Sequence, residues 1–293
     1  MSITKNETRS VSVIIPAKNE QGSIIKILPE IRDRLPEAEI IVINDGSTDA
    51  TEESCSTHQV KVVTHPYSMG NGAAIKAGAR IARGDVLIFM DADGQHDPAD
   101  ITRLLAELDK GYDMVVGARR GESQASLGRW YANSVYNWIA SWMVGQRIID
   151  LTSGFRAVKA KRFREFLYLL PNGFSYPTTI TMCFFRAGYL VGYMPVHVRK
   201  REGKSHIRLF KDGIRFMVII FRVGTLYSPL KLFIPISLLF FSTGLGYYAY
   251  TFFTTGRFTN MSGLLFTTSV LIFLIGLVSE QITNLLYTRS NQD

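Results

Sequence analysis

The sequence predicts an α/β domain built on a mostly parallel sheet, followed by a basic amphipathic helix and a two-helix transmembrane hairpin. Three observations carry this. Over the first 200 residues, short β-rich runs alternate with helical patterns. Residues 199–222 then concentrate the charge, with net +6 of the chain's +8. Finally, Leu232–Gly256 and Phe258–Ser279 form runs of 25 and 22 residues without a charge, separated only by Arg257. The implied division is a folded domain over 1–200, a juxtamembrane segment over 201–228, and two spans within 229–293, near 230–254 and 261–285.

The strand-like runs are Val11–Ile15, Glu39–Asn44, Val60–Thr64, Asp85–Met90 and Asp113–Val116, each rich in β-branched residues. Helical spacing fills the gaps at Ser23–Arg34, Gly72–Arg83 and Pro98–Lys110. Such alternation makes right-handed βαβ units, and ligands of these sheets bind beyond the carboxyl ends of the strands. Composition agrees with a folded chain: 46% of residues are hydrophobic and 20% charged, and mean hydropathy is +0.09. Collagen-like, disordered and disulfide-scaffold classes are thereby excluded. The two cysteines, Cys55 and Cys183, read as buried fillers in a reducing compartment.

Each uncharged run can cross a hydrocarbon core about 30 Å thick at about 1.5 Å per helical residue. Ahead of them, His206–Tyr227 places Arg208, Lys211, Arg215 and Arg222 on one helical stripe, with apolar residues on other faces. That helix can lie in the membrane plane with its cations at lipid phosphates, or it can be an ordinary solvated helix. Cationic flanks put both ends of the hairpin, and hence the large domain and both termini, on the cytoplasmic side of the inner membrane. A nucleic-acid partner is not expected, because the folded domain lacks a basic footprint. The polar N-terminus carries no secretory signal. Glu280 falls at the end of the second span and reads as interfacial. Oligomeric state is left open, a homo-oligomer included.

Three polar clusters follow strands: Pro16-Ala17-Lys18-Asn19-Glu20, Asn44-Asp45-Gly46-Ser47-Thr48-Asp49 and Asp91-Ala92-Asp93-Gly94-Gln95-His96-Asp97. They converge on one rim if the strands are neighbours. Asp45, in a tight Asp-Gly-Ser turn, can address ribose hydroxyls or a base N–H, or it can be a structural turn residue. Asp91 and Asp93, with the neutral oxygen of Gln95, make an oxygen set suited to Mg²⁺ or Mn²⁺, completed by waters and phosphate oxygens. The plain alternative is a solvated turn, with Asp97 capping the helix after Pro98.

Together VIIPAKNE, INDGSTD and DADGQHDP resemble the nucleotide-sugar core of family-two glycosyltransferases with the Rossmann-like GT-A fold. VVGARR (Val115–Arg120), DLTSGFRAV (Asp150–Val158) and PVHVRKREGKSH (Pro195–His206) narrow the resemblance to the polyprenyl-phosphate glycosyltransferases, such as dolichyl-phosphate mannose synthase and undecaprenyl-phosphate sugar transferases. It covers residues 10–210, and the two spans match one architecture of that group. Where the family often has Gly-Glu-Ser-Lys, this chain has Gly203-Lys204-Ser205-His206.

The resemblance implies that Pro16, Ala17, Asn19, Glu20, Asp45, Asp91 and Lys76 bind the UDP- or GDP-sugar, and that Asp91, Asp93 and Gln95 hold the metal. It also implies that Arg119, Arg129, Ser153 and Arg201 meet the lipid phosphate, with Asp93, Arg119 and Arg129 acting in catalysis. The expected reaction moves one sugar, with inversion, onto undecaprenyl or dolichyl phosphate for modification of cell-envelope glycoconjugates.

The chemistry is coherent. Cations stabilise a departing nucleoside diphosphate, and guanidinium forks can gather two repelling phosphate groups. A phosphate acceptor, with a second pKa near 6, attacks without a protein base. Transfer to a sugar hydroxyl is the nearer rival, and it needs a base, for which Asp150 is available. A processive synthase is disfavoured, since Ser126 stands where Gln-x-x-Arg-Trp would need glutamine before Arg129-Trp130. A silent membrane scaffold and phosphoryl or nucleotidyl transfer are the remaining readings.

Overall fold

A computed structural model describes residues 9–56, 58–119, 127–173, 175–198, 221, 224–225 and 228–289. Within α5 and at the end of α9, the side chains of residues 127–133 and 286–289 are not described. The basic stripe Arg208, Lys211, Arg215 and Arg222 lies outside the described residues, as does Arg201, and Arg129 is described in backbone only. Contacts divide the chain into two units, residues 1–139 with 146–207, and residues 140–145 with 208–293.

The first unit is a seven-stranded sheet in the order β3-β2-β1-β4-β6-β5-β7. Its strands are β1 (Val11–Ala17), β2 (Glu39–Asn44), β3 (Lys61–Thr64), β4 (Val86–Phe89), β5 (Met114–Arg119), β6 (Arg156–Lys159) and β7 (Val191–Val196). The helices of this unit are α1 (Gln21–Arg34), α2 (Thr51–Ser56), α3 (Asn71–Ile81), α4 (Ala99–Leu108), α5 (Leu127–Val144, its last turn in the second unit), α6 (Ala160–Arg164) and α7 (Tyr176–Arg186). The five expected strands all form, and the runs VII (Val13–Ile15) and IIVI (Ile40–Ile43) are buried on both faces, as a sheet covered by helices on each side requires. Close approach at two glycines seats α3: a Cβ at Gly78 would lie 2.4 Å from Ile14 Cγ2, and one at Gly72 would lie 2.1 Å from the carbonyl oxygen of Pro171.

β2, β1 and β4 are adjacent and parallel, so the three polar clusters do leave the sheet at one rim. β6, however, is antiparallel to both β4 and β5. Phe89 pairs with Arg156 where β4 ends and β6 begins. The reversed strand therefore approaches the sheet from the rim, and its preceding segment, Asp150–Phe155, arrives beside the end of β4. β7 closes the edge, where Pro195 deprives no neighbour of a ladder donor. Cys55 and Cys183 are buried thiols that form no disulfide with each other.

In the second unit, α8 (Pro229–Thr255) and α9 (Asn260–Arg289) pair as a hairpin. Gly256, at φ 65°, stops α8 in the left-handed conformation that glycine adopts without strain. Ser237 Oγ donates to Ser269 O and Ser269 Oγ to Ser237 O, both at 2.9 Å, so two polar side chains are satisfied between the helices. Leu230 N–H donates to Glu280 Oε2 at 3.3 Å, which gives this carboxylate an orphan amide at the start of α8. Outward-facing residues such as Leu239, Phe253 and Val278 are exposed, which suits helices surrounded by lipid.

Candidate functional site

At the rim of the first unit lies a cavity of about 410 Å³, whose lining includes Pro16 and Ala17 at the end of β1, Lys18 and Glu20 just after it, Asp45 after β2, and Asp91 and Asp93 after β4. Ser68 to Asn71, Thr152, Gly154 and the start of α7 complete the wall, Met69 excepted. Most of the nucleotide-binding set expected from the sequence thus meets in one place. Among the described residues, no three His, Cys, Asp or Glu side chains group as a metal cage. Two carboxylates lining one cavity wall nevertheless fit a hard divalent cation that draws its remaining ligands from a diphosphate and water.

Asp45 is the most tightly bound of these groups. Its Oδ1 meets His65 Nδ1 and accepts from Met69 N–H, both at 2.8 Å. Its Oδ2 accepts from Ser68 Oγ at 2.8 Å and Gly70 N–H at 2.9 Å. All four acceptor positions of the carboxylate are thus occupied. Burial works to raise its pKa, but these partners hold it below the usual carboxylate value. Asp45 lines the cavity and shapes its Ser68–Gly70 wall, as the structural reading of its turn expects.

Four residues of the expected set lie outside the cavity lining. Lys76 is not in the lining; its ammonium donates to Leu170 O at 3.0 Å and Asn172 Oδ1 at 2.5 Å, since the helix face bearing it looks onto the 170–172 loop. Asn19, at φ 55°, accepts from Thr48 N–H at 2.8 Å and donates its own N–H to Ser47 Oγ at 2.9 Å, which joins the two loops rather than entering the cavity. The Ser153 hydroxyl is buried and donates to Gly117 O at 2.7 Å, so it has no free donor for a lipid phosphate. Gln95 lies outside the lining, and its N–H donates to Asp93 Oδ1 at 3.1 Å.

Arg119 and Asp150 form a forked ion pair, with Nε–Oδ2 at 2.8 Å and Nη2–Oδ1 at 3.0 Å. Nη2 also donates to Thr152 Oγ1, a residue of the cavity wall, although Arg119 itself is not in the lining. The N–H groups of Thr152 and Ser153 donate to Asp150 Oδ1 at 3.1 Å. Asn137 on α5 braces the segment, donating to Ile149 O and accepting from Leu151 N–H. Burial tends to raise the Asp150 pKa, yet Arg119 and the backbone donors keep it below the ordinary range. Such a carboxylate is a poor general base.

Sequence reading missed Arg156. Its side chain is wholly buried, and it donates to Pro177 O at 3.3 Å, Thr181 Oγ1 at 3.2 Å and Ser153 O. It therefore ties the segment bearing Gly154 to the helix bearing Tyr176 and Pro177, all three of which line the cavity. A charged residue at the head of the apolar run RAVK was the available signal. Behind Asp93, His96 is 6% exposed and stacked on Phe155, with ring centroids 4.7 Å apart and no partner for Nδ1 among the described residues.

Burial lowers the His96 pKa from 6.5 to about 4, so the folded state resists a proton that the unfolded chain binds near 6.5. Stability from this residue is present above pH 6.5 and is lost as pH falls towards 4, by about 2 kcal/mol between pH 7 and 5. Thermal unfolding of His96→Phe in detergent should show a correspondingly smaller acid penalty. An equal penalty in both proteins would remove His96 as its source.

Fold and site together define a glycosyltransferase with a mixed α/β sheet of the GT-A type. The chain belongs to glycosyl transferase family 2, whose profile matches residues 12–183, and a GtrB C-terminal hairpin profile matches residues 228–285. It is 32% identical to an undecaprenyl-phosphate mannosyltransferase of Micrococcus luteus, over 66% of this chain and 84% of that one. Similarity to glycosyltransferase AglJ of Haloferax volcanii is 27%, over 94% of each chain. A polyprenol monophosphomannose synthase of Mycolicibacterium smegmatis is 29% identical, over 68% and 81%. The fold matches glucosyl-3-phosphoglycerate synthase from Mycobacterium tuberculosis, crystallised with Mn²⁺, UDP and its product, at TM-score 0.61 and 22% identity, covering 74% and 80%. The expected polyprenyl-phosphate resemblance is met, and the hairpin makes the chain a membrane protein.

Proposed function

We propose that the protein transfers one sugar from a UDP- or GDP-sugar to a polyprenyl phosphate at the cytoplasmic face of the inner membrane. The acceptor oxygen forms the new bond to the anomeric carbon from the face opposite the departing nucleoside diphosphate, with inversion. Asp91 and Asp93 would hold a divalent cation, Mg²⁺ or Mn²⁺, which when bound neutralises charge on the diphosphate. Pro16, Ala17, Lys18 and Glu20 would border the nucleotide. Arg119, held by Asp150 and by the wall residue Thr152, would meet an acceptor or donor phosphate, with Arg129 and Arg201 as further candidates from the resemblance.

The observation that favours a phosphate acceptor is the state of Asp150. The carboxylate available to deprotonate a sugar hydroxyl is locked to Arg119 and held ionised. A phosphate monoester needs no such help, being largely ionised at neutral pH. Similarity to two transferases named for polyprenyl or undecaprenyl phosphate supports the same acceptor.

The test is transfer by the purified full chain, in detergent with undecaprenyl phosphate, Mg²⁺ or Mn²⁺, and a panel of UDP- and GDP-sugars. Mass spectrometry should find the lipid phosphate increased by one glycosyl unit. A sugar found instead on the hydroxyl of a glycolipid acceptor, or no product from any donor, would overturn the assignment.

A further inference from the structure

Arg156 heads β6, and its charge meets no carboxylate among its described contacts. The residue is 0% exposed. Its described partners are all neutral: Nη1 donates to Pro177 O at 3.3 Å and Thr181 Oγ1 at 3.2 Å and meets Met114 Sδ at 3.7 Å, Nη2 donates to Ser153 O, and Nε has no partner among the described residues. Burial pulls its pKa below that of a free guanidinium, but arginine keeps its proton at neutral pH. A full positive charge therefore sits in the protein interior, which is costly unless something of opposite sign lies within its reach.

The hydrogen bonds fix where that charge is felt. Pro177 lines the cavity, and Ser153 precedes Gly154, which also lines it and lies against Asp91, a Cβ there falling 2.8 Å from Asp91 Oδ2. Tyr176, again in the lining, has its ring centroid 6.0 Å from the guanidinium carbon. The cation is thus one layer behind the wall that Gly154, Tyr176 and Pro177 make. A charge buried in protein is screened little, so its field reaches the cavity.

The described lining is itself acidic, with Glu20, Asp45, Asp91 and Asp93 against Lys18 alone. With one divalent cation bound the lining still carries net negative charge, which opposes a ligand that brings phosphate groups. Arg119 does not alter this balance, since Asp150 neutralises it. We propose that Arg156 is an electrostatic positioning residue: from behind the wall it biases the cavity toward phosphate anions, the donor diphosphate or the acceptor monoester, without touching them. This rests on the sugar-transfer reading of the cavity. The same charge repels a divalent cation, so it lowers affinity for the metal alone while raising affinity for phosphate. That opposition separates charge from scaffolding, because a loosened wall would weaken both.

The test uses the full chain in detergent, with Arg156→Gln, which keeps amide donors and removes the charge, and Arg156→Lys, which keeps the charge and removes the fork. Mn²⁺ affinity is read by electron paramagnetic resonance without nucleotide, UDP and GDP affinity by calorimetry at saturating Mn²⁺, and acceptor KM by transfer to undecaprenyl phosphate from whichever donor is active. Arg156→Gln should bind Mn²⁺ at least as tightly as wild type and lose about fivefold to fiftyfold toward phosphate, whereas Arg156→Lys should stay within about threefold on each measure. A loss in UDP or GDP affinity assigns the field to the donor diphosphate, and a loss in acceptor KM alone assigns it to the lipid phosphate. Arg156→Met, apolar and of similar reach, should repeat the glutamine result. Thr181→Val, which removes a neutral partner and leaves the charge, should lower the melting temperature and move neither affinity. Parallel losses of Mn²⁺ and phosphate binding in Arg156→Gln and Arg156→Lys, unchanged phosphate binding in Arg156→Gln, or unfolding of all three variants at this position would overturn the inference and leave the sugar-transfer reading standing. Failure of wild type to bind UDP and GDP alike would overturn both.

Discussion

Asp93→Ala is expected to reduce sugar transfer by at least about a hundredfold while the hairpin still inserts. Outer-shell partners of a metal ligand already cost about 10–100-fold when removed, and the loss of one of two carboxylate ligands should exceed that. Asp93 lines the cavity at the end of an otherwise apolar strand, outside the buried core, so its removal leaves the sheet intact. Turnover would be followed with the lipid acceptor across a Mn²⁺ series, and insertion by resistance of the protein to carbonate extraction. Wild-type turnover in the variant, or turnover insensitive to chelator, would defeat the metal role of this carboxylate.

Gly154→Ala should be nearly as damaging, through a single methyl group. An added Cβ would lie 2.8 Å from Asp91 Oδ2, closer than carbon and oxygen tolerate. The backbone there cannot retreat easily. Ser153 Oγ holds Gly117 O, and the buried Arg156 guanidinium holds Ser153 O. The carboxylate must therefore move, and with it one half of the oxygen pair and the partner of Asn71 Nδ2. A tenfold to hundredfold fall in turnover is expected, with half-maximal activation shifted to higher Mn²⁺ and a melting temperature within a few degrees of wild type. An unchanged activation curve would show that Asp91 has room to yield.

Much of the fold was legible because it rests on local periodicity. β1, β2 and the two apolar helices announce themselves by runs of branched or uncharged residues, and their bounds shifted by only a few positions. β6 was not legible: four residues headed by an arginine carry no alternation, and its reversed direction is a tertiary fact. The site divides in the same way. Asp91, Asp93 and Glu20 could be located because they follow strands that lie side by side. Lys76, Asn19 and Ser153 carry suitable chemistry, but a residue type does not reveal which neighbour will claim its hydrogen bonds. Arg156 escaped notice because its meaning lies in contacts from a segment 20 or more residues distant, at Pro177 and Thr181.

The four-fold engagement of Asp45 has a practical corollary for anyone wishing to redirect the enzyme toward another nucleobase. A library randomised at that aspartate would recover collapsed loops instead of altered preferences, since every replacement gives up part of the clasp on Ser68, Met69 and Gly70, and those without a side-chain oxygen give up all of it. Lys18, which borders the same opening and has no part in that clasp, is the sounder place to begin remodelling.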